Sequence, residues 1–388
     1  MENDTSHQAL DRERQEKARE YAAVRRRFML LDLALGAGLL LLWLFTGWST
    51  ALRDWILTWT TSKWAAVAAF GGIFGGFFYL VDLPLSYYTG FVLPHRYDQS
   101  NQTLRGWALD ALKSALLAAL LGGLVLEIIY LLLRTTPQHW WLWAGGFLFL
   151  FNALLANLAP VLIMPLFYDF EPLGENHAEL EDRLLDLAQA ADTEVQGVFT
   201  FDISRRTKSA NAGLTGLGNS RRIILGDNLI EEFPPGEIET VLAHELGHHV
   251  HHDIPLGMVV QSVLSFGGLY LAHLGLSWGV KAFGFQGLAD IAALPLFGLV
   301  MGAFGLLTMP LSNAYSRWRE RLADRYALKL TGKGQAYANA LTRLANQNLA
   351  EVDPPQWVKV LLYSHPPLQK RMSLAREAAG GEFQDPLT

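Results

Sequence analysis

Six long apolar runs constrain this chain before any motif does: Met29–Trp48, Trp64–Tyr87, Trp107–Leu133, Trp140–Leu162, Pro255–Val280 and Ile291–Leu311. Crossing a hydrocarbon core about 30 Å thick takes roughly 20 helical residues, and each run meets that length. Lipid offers no hydrogen bonds to the backbone, so helices are the expected form of these runs. The first run follows a charged stretch from Asp11 to Arg27, as a signal peptide would. It exceeds the roughly 7–15 residues of a signal core and no Ala-x-Ala site follows it, so a retained span is predicted.

Basic residues set the orientation. The arm before the first run carries Arg12, Arg14, Lys17, Arg19, Arg25, Arg26 and Arg27, whereas the loops expected opposite hold only Arg53, Lys63, Arg134 and Lys281. The positive-inside rule then keeps the N-terminus cytoplasmic. With six spans, both termini and the long polar segments 166–254 and 312–388 fall on that same side. Trp140, Trp141 and Trp143 are expected in an interfacial belt, and Gly71/Gly75 and Gly72/Gly76 allow close helix approach. Asp82, Asp110, Lys113, Glu127, Asn152, Asn157, Gln261 and His273 lie in or near the runs. Their plain reading is interhelical hydrogen bonding; together they hint at a hydrated interior.

Composition excludes several classes. Hydrophobic residues make up 51% and charged ones only 18%, below the ~25% usual for a soluble globule. A net charge of −6 gives no nucleic-acid footprint. Cysteine is absent, which removes disulfides, thiolate ligands and a cysteine nucleophile.

The polar segments read as a small α+β unit. Residues 176–192 have amphipathic helical periodicity, Val195–Ser204 and Arg221–Gly226 read as strands, and Ser209–Gly218 as an extended arm between them. Residues 234–253 read as one helix opening at Pro235. After the last span, Ser316–Gly332 and residues 334–350 read as helices, followed by a proline-punctuated loop over Asp353–Arg371 and a polar tail. The expected organisation is a charged arm (1–28), a four-span membrane domain (29–165), an α+β unit (166–254), two further spans (255–311) and a helical C-terminal part of that unit with its tail (312–388).

The chemistry sits at His244-Glu245-Leu246-Gly247-His248, an H-E-x-x-H sequence. Four helical residues turn by about 400° and rise about 6 Å, so both imidazoles project from one face. That suits two nitrogens about 2.0–2.1 Å from one zinc ion, with Glu245 free to act on the water without being a ligand. A catalytic zinc takes a third protein ligand. His249, His251 and His252 are close in sequence, but His249 points about 100° from His248 and His252 about 80° from His244. Glu320 and Asp324 share a face at i, i+4. Two spans separate them from the histidines and return the chain to the same side. Glu320 is therefore the favoured third ligand, and Asp324 the carboxylate that orients a ligand histidine.

Three motifs in order, HELGHHVHHD (His244–Asp253), SRWRERLAD (Ser316–Asp324) and SHPPLQKR (Ser364–Arg371), resemble the integral-membrane zinc metallopeptidases of the CAAX prenyl protease 1 family. HRYDQSNQT (His95–Thr103), MPLFYDFEPL (Met164–Leu173) and SANAGLTG (Ser209–Gly216) extend the resemblance to about residues 30–375. It implies an α-helical polytopic membrane protein whose spans enclose a hydrated chamber, with an inserted gluzincin-type α+β unit. One Zn2+ per chain would be held by His244, His248 and Glu320, with Glu245 as general base. His365 would stabilise the transition state, Asp324 and Arg371 would support the site, and Asn211 would contact the substrate backbone. The implied reaction is endoproteolysis of peptide or protein substrates at the bilayer, of the kind that processes prenylated CaaX C-termini. Six spans rather than the seven of eukaryotic members, and a tail without a dibasic signal, favour a bacterial inner membrane over the endoplasmic reticulum. The alternatives are a quality-control metalloprotease without prenyl specificity, an intramembrane protease, and a non-catalytic zinc-binding scaffold or transporter. The polar sequence around the motif argues against an intramembrane site, and an intact Glu245 argues against a scaffold.

Overall fold

The computed structural model describes residues 9–216 and 221–381. Asp11 caps helix α1 (Arg12–Phe45) by accepting from the Arg14 amide. This helix starts well before Met29: the charged arm is a helical extension of the first span, and it docks on the C-terminal unit through Arg26–Glu351 at 2.6 Å. An unexpected short helix, α2 (Trp48–Leu57), precedes α3 (Lys63–Tyr87). Pro84 lies inside α3, and a π-helical turn at Tyr88–Val92 leads to the short α4 (Leu93–Arg96). Then come α5 (Leu104–Thr135) and α6 (Trp140–Leu158), the latter running through a second π turn at Ala159–Ile163.

The next segment forms a four-stranded sheet in the order β1-β2-β4-β3, made of β1 (Phe170–Pro172), β2 (Val198–Phe201), β3 (Ala212–Thr215) and β4 (Arg222–Gly226). Helix α7 (Ala178–Ala190) lies between β1 and β2, and α8 (Asp227–Glu232) follows β4. β4 reads as a continuous apolar run because both its faces are covered: Ile223 and Leu225 join one core, Ile224 the other. The extended arm expected at 209–218 is β3 up to Thr215; Leu217 and Gly218 lie outside the described residues.

Helix α9 (Pro235–Val250) carries the H-E-x-x-H sequence, and His252, at a φ of +55°, breaks the helix that the sequence reads as continuous through Asp253. α10 (Asp253–Ala282) and α11 (Leu294–Thr331) follow, and Gly332, at φ +63°, stops α11. The last span and the helix expected at 316–332 are thus one element. α12 (Gly334–Gln347) matches the next expected helix. The expected loop and tail are instead largely helical, as α13 (Gln356–Leu361) and α14 (Leu368–Ala379); the tail beyond Gly381 lies outside the described residues.

Six helices are long and apolar enough to cross a membrane, and they pack as a closed ring in the order α1-α3-α5-α6-α10-α11. Their shared core gathers at one end, around Phe70, Tyr130, Trp140, Leu276 and Ala292, next to α2. Trp140 is fully buried there and donates to His273 Nδ1 at 3.1 Å, which corrects its expected place in an interfacial belt; Trp143 is exposed. Most polar residues of the spans are answered locally. Asp110 pairs with Arg206 at 2.8 Å, Lys113 donates to the Leu166 carbonyl, and Asn152 and Asn157 donate one turn back along α6.

Candidate active site

One stripe of α9 fixes its rotation. Ile238, Leu242 and Leu246 recur every four residues and are fully buried against Ile223 and Leu225 of β4. His244 is two positions from Leu242, about 200° around the helix, so His244 and His248 are turned toward α11. Gly247 permits the approach: a Cβ there would lie 2.9 Å from Ala323 Cα and 3.1 Å from its carbonyl oxygen. With no side chain in the way, Glu320 reaches the histidines.

His244 Nε2 and His248 Nε2 are 3.2 Å apart, Glu320 Oε2 is 3.4 Å from the first, and Glu320 Oε1 is 3.5 Å from the second. Each imidazole is turned inward by a carboxylate on its other nitrogen. Asp324 Oδ1 lies 3.0 Å from His244 Nδ1, and Asp253 Oδ2 lies 2.6 Å from His248 Nδ1. Two nitrogens of like kind and a carboxylate converging on one point are an arrangement that holds a cation. Glu320 Oε2 supports it: it is buried and receives no well-formed hydrogen bond from the described residues, His244 Nε2 standing 3.4 Å away. His249, His251 and His252 stand outside the cluster.

The supporting layer is buried. Asp324 is 1% exposed and receives the Tyr337 hydroxyl at 2.5 Å and Arg371 Nη2 at 2.7 Å. Burial pushes the Tyr337 hydroxyl well above its ordinary pKa, so it remains a donor. Burial and the Arg371 charge oppose protonation of His244; hydrogen bonds with Asp324 and Glu320 outweigh them and push its pKa up to about 9. On the other side, Arg319 donates from Nε to Asp253 and also donates to the His251 carbonyl.

The remaining expected residues fall around this centre. Glu245 is half-buried beside His244 and has no hydrogen-bond or ion-pair partner among the described residues. His365 is exposed, with Nε2 3.0 Å from Glu320 Oε1 and Nδ1 2.9 Å from Ser364 Oγ. Arg371, expected in a loop, sits on α14. Asn211 precedes β3, the edge strand that packs against α9; its side chain accepts from the Ala212 amide. The side-chain amide of Asn348 grips both backbone groups of Ala210, accepting from its N–H at 3.0 Å and donating to its carbonyl at 3.3 Å. Sequence reading missed Asp253, Arg319, Tyr337 and Asn348. Only Asp253 carried a signal, as an acidic residue just past the motif.

A ring of membrane-length helices with a two-histidine, one-carboxylate centre on an appended α+β unit defines a membrane metalloendopeptidase. Two family models divide the chain: "CAAX prenyl protease N-terminal, five membrane helices" matches residues 4–169, where this structure has four candidate spans, and "Peptidase family M48" matches 175–379. The chain belongs to peptidase family M48, a family of metallopeptidases, and is a multi-pass integral membrane protein. It is 31% identical over 373 residues to the uncharacterized metalloprotease YhfN of Bacillus subtilis, covering 95% of this chain and 87% of that one. CAAX prenyl protease 1 of Saccharomyces cerevisiae is 32% identical over 323 residues, covering 78% and 70%. The crystal structure of S. mikatae Ste24p superposes with a TM-score of 0.84 at 28% identity, covering 96% of this chain and 92% of that one.

Proposed function

We propose that this chain is a zinc endopeptidase that takes a peptide as an added strand along β3 and cleaves it at the His244–His248–Glu320 centre. The observation that carries the reading is the donor triangle of 3.2, 3.4 and 3.5 Å. A tetrahedral ion with bonds of 2.0–2.1 Å spaces its ligands by about 3.3–3.4 Å, so these residues fit zinc. Once bound, zinc supplies Lewis-acid polarisation of a water and of the scissile carbonyl. Glu245 takes the proton of the attacking water and hands it to the leaving amine. His365 donates to the developing oxyanion. Asp324 and Asp253 hold the two imidazoles in the tautomer that leaves Nε2 free. Arg371 positions Asp324. Among the described residues β3 pairs only with β4, leaving its other edge open, which suits an extended backbone with Asn211 beside it.

Segments 166–254 and 312–381 act together as the catalytic unit, supported by the packing of α9 on α11 and α12 and of α12 on α14. The basic extension of α1 supports a cytoplasmic active site, with a bacterial inner membrane as its location. The ring of spans, little buried along its length, supports a hydrated space within it. The relatives named CAAX prenyl protease 1 support prenylated C-terminal peptides as substrates. The test is cleavage of a farnesylated CaaX peptide and its plain form by purified protein, with and without chelator, beside elemental analysis. Glu245→Gln is expected to retain zinc and lose about 10²- to 10⁴-fold in rate. Chelator-resistant cleavage sinks the zinc mechanism; equal cleavage of both peptides sinks only the prenyl specificity.

A further inference from the structure

Arg317, Arg321 and Arg325 recur every four residues along α11 and so share a face. They line a cavity of about 330 Å³, together with Lys359 of α13 and Lys370 and Arg371 of α14. Three of these cations are answered locally. Arg371 bonds Asp324 at 2.7 Å, Lys359 bonds Asp353 at 2.6 Å, and Arg317 donates to the Tyr363 carbonyl at 2.6 Å. Arg321, Arg325 and Lys370 have no hydrogen-bond or ion-pair partner among the described residues. The one carboxylate lining the cavity is Asp324, already held by Arg371.

The near wall of the cavity, at Arg317, comes within side-chain reach of the lipid headgroups. Leu307 and Leu311, 77% and 70% exposed, are the last strongly exposed leucines of the apolar part of α11. At 1.5 Å per residue, Arg317 follows about 9 Å further along the helix and Arg321 about 15 Å. Both have stems long enough to lean back toward the bilayer. Trp357, Val360 and Leu361 of α13 are exposed on one helix face, and Trp318 is exposed beside them, as for an element resting on lipid.

We propose that this cavity binds the phosphate headgroup of an anionic phospholipid from the leaflet on the catalytic side. The orientation rule asks only for positive charge near the membrane. Here six cations converge from three helices into one concavity with a single, already paired carboxylate, which is the form of a headgroup pocket. Pro366 and Pro367, directly after His365, form part of its wall, so a seated headgroup braces the turn that carries His365.

The test is native mass spectrometry of the full-length protein in neutral detergent, titrated with phosphatidylglycerol, phosphatidylcholine or inorganic phosphate. Phosphatidylglycerol is expected to bind in preference to phosphatidylcholine. R321Q/K370Q should weaken it by roughly 30-fold, the effect of two lost surface cations, and R321K/K370R should retain it. Thermal unfolding checks that the variants are folded, and R321Q alone, at an exposed site, serves if the double variant is not. Equal binding of the two lipids, undiminished phosphatidylglycerol binding by the folded variant, or binding of inorganic phosphate without lipid preference each overturns the proposal. The readout is bound lipid, so it stands or falls apart from the peptidase reading.

Discussion

Asp253 Oδ2 lies 2.6 Å from His248 Nδ1, while the other carboxylate oxygen is gripped by Arg319, the neighbour of Glu320. One carboxylate therefore ties His248 on α9 to the helix that brings Glu320. Asp324 does the equivalent for His244. Both imidazoles are thus oriented before any ion arrives.

Asp253→Asn keeps the shape and removes the charge that favours the inward-facing tautomer. Loss of such an outer partner costs about 10- to 100-fold in metal affinity. Chelator competition should show that loss for Asp253→Asn, with a smaller one for Asp253→Glu. Unchanged zinc affinity in Asp253→Asn would remove the residue from the site.

Gly247→Ala separates two opposing effects. Alanine favours an exposed helix interior over glycine by about 1 kcal/mol. Here the added Cβ meets the Ala323 backbone of α11 at 2.9 Å. Overpacking of that kind costs about 1–3 kcal/mol and wins, because backbone atoms on both sides cannot rotate away. We expect a lower thermal midpoint and weaker metal retention together. A stabilised variant with full zinc content would show that the helices separate without consequence.

The proposed metal site also carries a pH signature. His244 in the metal-free protein holds its proton up to about pH 9, and a bound metal has to displace it. Apparent metal affinity should then rise about tenfold per unit of pH up to that point and level off above it. Its folded pKa is raised above the ordinary 6.5, so the linked stability of the metal-free form is complete below 6.5 and lost as pH rises through about 9. Chelator competition between pH 7 and 10 measures the first effect. A flat profile below pH 9 rules it out.

Much of this site was legible because it obeys helix periodicity and the parity of membrane crossings. His244, His248 and Glu320 needed only those two rules. Asp253 was hidden by a break. On a continuous helix, five residues turn about 500°, leaving it roughly 140° from His248. The left-handed His252 reverses the chain and brings it back. Arg319 looked like one more charge in an arginine-rich helix. The prolines of 353–371 suggested a loop, yet Pro355 and Pro367 stand directly before α13 and α14, where a missing amide is harmless. Trp140 was misplaced because sequence shows an aromatic near a span end without showing that α10 packs over it.

The open edge of β3 supplies the last prediction. Asn348 holds the strand's entry by pairing with both the amide and the carbonyl of Ala210, which is 5% exposed. Removing the amide group strands a buried N–H, at a cost of about 1–3 kcal/mol. A peptide added along that edge depends on the strand's backbone and not on its side chains. Asn348→Ala should therefore raise KM more than it lowers kcat, and leave zinc content unchanged. Asn348→Asp, which keeps the acceptor for the Ala210 amide but loses the donor, should fall between. N-methylation of a single substrate amide in the strand should raise KM by roughly 2- to 12-fold, the worth of one ladder bond. If every N-methylated position were cleaved with an unaltered KM, the peptide would not be bound as a strand, and Asn348 would matter only to folding.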